Sequence, residues 1–118
     1  MTTLANVAVG LVALLHLYFL VLEMFLWTSP FGLRTLGLTP DFAAASRSLA
    51  ANQGLYNGFL AAGLVWGLFL GAAGHAITIF FLACVVFAGL FAGITANRKI
   101  LWFQALPGAI ALALIRLS

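Results

Sequence analysis

The chain has 118 residues, 65% of them hydrophobic and 6% charged, with a mean hydropathy of +1.21. Soluble domains carry about 25% charged residues; so little charge cannot solvate a globular surface, and the expectation is one integral membrane domain, 1–118. The net charge of +3 comes from five Lys and Arg spread over loops and one end, without the basic stripe that nucleic-acid binding needs, so nucleic acid is excluded as a partner.

Leu4–Trp27 reads as a first span. No Lys or Arg precedes it, it is too long for the core of a secretory signal, and it carries His16 and Glu23, so the segment is expected to be retained. His16 and Glu23 are seven residues apart, which puts them within about 20° of one helix face. Glu23 is the only glutamate. Trp27 suits a membrane interface, with its ring in apolar surroundings and its N–H wet.

The loop Thr28–Leu49 carries helix signals. Ser29-Pro30 is an N-cap followed by proline at the first helical position, and Gly37 is a stop. Thr39-Pro40-Asp41 repeats the start. Phe31, Leu33, Leu36, Leu38 and Phe42 stand among polar neighbours, so short helices lying at the membrane surface are predicted.

Ala51–Ala72 is the expected second span. It opens on Asn52, Gln53, Tyr56 and Asn57, whose carboxamides are costly in lipid unless they hydrogen-bond. Gly54 and Gly58, continued by Ala62, form one small-residue row, and Gly63, Gly67 and Gly71 a second. Such rows let helices approach closely, either within the chain or along a homodimer seam. Ala76–Ala96 is the third span, after a turn in which His75 is read as solvated. Its Cys84 is the one cysteine and reads as a buried inert thiol. Ile100–Leu117 is the fourth span, with Gln104 and a kink expected at Pro107. The fold class predicted is therefore all-α, a four-transmembrane-helix bundle with short interfacial helices in the first loop.

The first and third loops hold Arg34, Arg47, Arg98 and Lys99 against Arg116 on the other side. The positive-inside rule then places both loops in the cytoplasm and both termini in the periplasm. Glu23, Asn52, Gln53, Asn57 and Gln104 then fall in the cytoplasmic half, at depths of roughly 0–10 Å. In the plain structural reading, Glu23 pairs with Arg98 or Arg47 and the carboxamides tie helices together at about 0.6 kcal/mol each. In the functional reading the same residues line a polar pocket. One His, one Glu and distant carboxamides are a poor metal set, and no phosphate loop, Ser–His–Asp order or zinc motif is present. No metal and no cofactor is expected.

Four motifs stand out: H-x-Y-x4-E from His16 to Glu23, F-x-W ending at Trp27, A-N-Q-G-x-Y-N-G-F-L-A-A-G from Ala51 to Gly63, and Q-x-x-P from Gln104 to Pro107. Together they resemble the bacterial family called domain of unknown function 1304, along nearly the whole chain. The resemblance implies a small four-helix inner-membrane protein and supplies no activity.

Three functions fit these residues. The preferred one is binding or passage of a small amphipathic or lipid-like molecule. Glu23 would hold its cationic or donor group, His16, Asn52, Gln53, Asn57 and Gln104 would contribute polar contacts, and Tyr56 and Trp27 aromatic walls. The second is an intramembrane enzyme with His16 and Glu23 as an acid–base pair bridged by substrate or water. The third is a non-catalytic interaction subunit using the glycine faces.

Overall fold

A helix closes its interior backbone hydrogen bonds locally, which suits a chain this poor in polar side chains. The computed structural model describes residues 2–118, with the backbone alone for Thr2, and among the described residues every regular element is helical. They are α1 (Thr2–Met24), α2 (Pro30–Leu36), α3 (Pro40–Ala45), α4 (Arg47–Phe69), a 3₁₀ turn at Gly71–Gly74, α5 (His75–Thr95), a π-helical turn at Leu101–Ala105 and α6 (Leu106–Leu117).

The first loop is helical as its caps dictate. Ser29 Oγ accepts from the Gly32 N–H at 3.1 Å. Gly37 ends α2 in the left-handed region at φ 66°, which a residue with a side chain enters at a cost. Thr39 Oγ1 accepts from the Phe42 N–H at 3.2 Å. Only Ser46 separates α3 from α4.

Several boundaries differ from the sequence expectation. The first helix stops at Met24 instead of Trp27. The N–H groups of Phe25 and Leu26 both turn back to the Val21 carbonyl, at 3.0 and 3.1 Å. The Gly32 backbone then lies so close to the Leu26 carbonyl that a Cβ at position 32 would overlap it. That close approach accompanies the stop, and no glycine or proline stands at residues 24–29 to mark it. The helix expected from Ala51 already begins at Arg47, because Ser46 passes the chain almost directly from one helix to the next. The kink expected at Pro107 takes the form of the π-helical turn: the Leu106 N–H reaches back five residues to the Leu101 carbonyl, just ahead of a proline that has no N–H to offer.

Two segments are long and apolar enough to cross a membrane, Thr3–Met24 and Gly71–Thr95. Leu101–Leu117 is apolar but shorter. Helix α4 has the length, at 23 residues, but Asn52, Gln53 and Asn57 dilute its apolar run. Among the described residues two helices are thus long and apolar enough to cross a membrane, where four spans were expected.

By their contacts the residues fall into two compact units, one of residues up to Leu14 with Leu60–Ser118 and the other of Leu15–Phe59. The first has a core of Val9, Val12, Leu64, Leu82, Val85, Ala111 and Ile115. Its glycines make room for close neighbours: Gly63 for Phe81, Gly67 for Thr78, Gly89 for the Ala105 backbone and Gly93 for Leu101. The row Gly63–Gly67 is therefore occupied by α5 of the same chain. The outward surface is apolar as well, with Phe69 88% and Ile94 80% exposed, the reverse of a water-soluble exterior.

Candidate functional site

In the unit Leu15–Phe59, two glycines bring α4 against α1. A Cβ at Gly54 would meet Met24 Cγ at 2.6 Å, Glu23 Cβ at 3.1 Å and the Leu20 carbonyl oxygen at 3.2 Å; one at Gly58 would meet Leu20 Cδ1 at 2.7 Å. The third member of the expected row, Ala62, is exposed and so not packed into such a seam. The glycine spacing has a direct chemical result: one residue before Gly58, Asn57 is carried to Glu23.

Asn57 Nδ2 donates to Glu23 Oε1 across 2.5 Å. Asn57 is buried and Glu23 half-buried. This is the one hydrogen bond of the Glu23 side chain among the described residues; its other oxygen, Oε2, is neither bonded nor sealed away. Among the described residues the expected ion pair of Glu23 with Arg47 is not formed, and Arg47 is exposed; Arg98, the other expected partner, is exposed and belongs to the other unit. A carboxyl group with one oxygen held by a carboxamide and the other open can take an ammonium, guanidinium, hydroxyl or amide donor.

The other expected site residues have different surroundings. His16 has no exposed surface. Among the described residues no buried side-chain nitrogen or oxygen lacks a partner, so its ring nitrogens are satisfied, and the ring stands edge-on to Phe19 at 5.3 Å. A ligand can touch His16 only after the packing opens. Trp27 lies beyond the end of α1, and its Nε1 donates to Ser46 Oγ at 3.0 Å where a wet N–H was expected. Ser46 Oγ in turn donates to the Phe42 carbonyl at 2.7 Å. Trp27 thus latches the turn after α1 to the α3–α4 junction. Asn52, Gln53 and Tyr56 are exposed, with Tyr56 edge-on to Phe59 at 5.6 Å. Gln104 belongs to the other unit, half-buried in the π-helical turn. Sequence reasoning missed Ser46; its one signal is its place as the last polar residue before the basic start of α4.

These features define a class: a small, all-helical, apolar protein with a carboxyl–carboxamide pair at a glycine-lined helix seam. The chain belongs to the family described as "Protein of unknown function (DUF1304)", which it matches over residues 10–116. It is 32% identical over 117 residues to the uncharacterized protein YpaA of Lactococcus lactis, an alignment covering 98% of this chain and 97% of that protein. No solved structure matches.

Proposed function

We propose that this protein is a multi-pass bundle of the bacterial inner membrane that holds a small amphipathic or lipid-like molecule at Glu23. In this reading α1, α4, α5 and the π turn with α6 are the four spans, α2 and α3 lie at the cytoplasmic surface, and both termini are periplasmic. The apolar exterior supports the membrane setting. The binding reading is carried by one observation, a glutamate on an apolar helix with one oxygen tied to Asn57 and the other open. Intramembrane ionisable groups are costly and mark functional sites by default.

The open oxygen takes the donor head of the ligand. Asn52 and Gln53 add polar contacts near the same membrane depth, Tyr56 and the Trp27 ring supply flat apolar surface, and the tail lies along the helices. The test is a titration of the full chain in a non-ionic detergent with dodecylamine, a single-chain primary ammonium. Saturable binding is expected, weakened about tenfold or more in Glu23→Gln, the scale of a lost charge-assisted hydrogen bond. Equal affinity in wild type and Glu23→Gln would contradict the assignment.

A further inference from the structure

The two oxygens of the Glu23 carboxyl stand in different situations. Oε1 accepts from Asn57 Nδ2 across 2.5 Å. Oε2 has no partner among the described residues and retains accessible surface. The donor is well seated: Asn57 is 5% exposed, one residue before the close approach of Gly58 to Leu20.

This bond suits both forms of the acid. In the carboxylate, Oε1 is one of two acceptors. In the protonated acid, Oε1 is the carbonyl oxygen and Oε2 carries the hydrogen. A carboxamide N–H donates to Oε1 in either case. Asn57 therefore holds one end of the carboxyl and leaves Oε2 as the atom where a proton is gained or lost.

No charge of the protein compensates that oxygen. The other charged or titratable side chains of Leu15–Phe59 are His16, Tyr18, Arg34, Asp41, Arg47 and Tyr56. On α4, which packs against Glu23, Arg47 and Tyr56 are both exposed. On α1 itself, Tyr18 is exposed and His16 is fully buried about two helical turns away. Arg34 of α2 and Asp41 of α3 are exposed. None of the six bonds or pairs with Glu23 among the described residues. An uncompensated charge in apolar surroundings is costly. Oε2 avoids it in one of two ways, by carrying a proton or by facing a cation from outside, and one oxygen cannot do both.

We propose that Oε2 of Glu23 is an exchange point at which one proton and the cationic head of an amphiphile displace each other; this rests on the binding reading above. On binding, the Glu23 O–H bond breaks and its proton leaves to water. The carboxylate that remains accepts a charge-assisted hydrogen bond from the ammonium N–H, with Asn57 still on Oε1. Ligand release runs the same step backwards. Because the ligand takes the deprotonated form, acid weakens binding.

The test uses the full chain in dodecyl maltoside with dodecylamine, whose ammonium stays charged between about pH 5 and 8 as that of lysine does. Affinity is titrated across that range. Proton release is read on the same samples from the dependence of the binding heat on the ionisation enthalpy of the buffer. About one proton is expected to leave per ligand bound at the acid end, where affinity rises about tenfold per pH unit. Glu23→Gln removes both effects, and its residual binding is independent of pH. Asp41→Asn, which removes the only other acidic side chain, leaves both in place. Saturable, Glu23-dependent binding with no proton released and equal affinity throughout overturns the exchange and leaves the binding reading standing. A pH slope that persists in Glu23→Gln, or is lost in Asp41→Asn, also overturns the exchange. No saturable binding at any pH overturns both.

Discussion

At the scale of single residues, the seam between α1 and α4 separates folding from binding. Asn57 donates and Glu23 accepts, so the two positions respond differently to substitution. Glu23→Gln keeps a carbonyl oxygen for Asn57 and is expected to cost under about 1 kcal/mol of stability. Asn57→Ala leaves a half-buried carboxyl without its partner and opens space beside it, at about 1–3 kcal/mol. Thermal unfolding in detergent checks the order; equal losses would mean that the bond contributes nothing to the fold. Gly32 offers a second test, because a Cβ there would overlap the Leu26 carbonyl. Gly32→Ala should destabilise by about 1–3 kcal/mol through overpacking, with amide exchange accelerated across Leu26–Ser46 and not in α5. Unchanged exchange in Leu26–Ser46 would count against the close contact.

At the scale of elements, what could be read in the sequence was what is encoded locally. Ser29-Pro30, Gly37 and Thr39-Pro40 each act within one helical turn, and α2 and α3 begin and end on them. The end of α1 was misplaced because no glycine or proline marks Met24. The stop goes with the close approach of Gly32 and with the Trp27–Ser46 bond, which appear only once α2 and α3 fold back. The Glu23–Asn57 pairing was legible because the glycine spacing on α4 and the lone glutamate on α1 sit at matching depth. The local account makes a prediction of its own. Ser29→Ala removes the cap of α2 at about 1 kcal/mol and should raise amide exchange at Gly32 and Leu33, while the wild-type segment 30–45 exchanges slowly. Fast exchange throughout that segment in the wild type would show a flexible linker in place of α2 and α3.

At the scale of the whole molecule, the proposed topology follows from four basic residues on one side against Arg116 on the other. A green fluorescent protein joined after Ser118 should stay dark in the periplasm, and alkaline phosphatase at the same point should be active; a bright fluorescent fusion would invert the topology. Binding at Glu23 is the claim on which the functional reading depends, and native mass spectrometry of the full chain released from its own membrane tests it most directly. The expected result is a discrete amphipathic adduct of constant mass on the wild type, lost in a folded Glu23→Gln protein. A wild-type chain that is always bare, or a Glu23→Gln chain that keeps the same adduct in the same proportion, would contradict it.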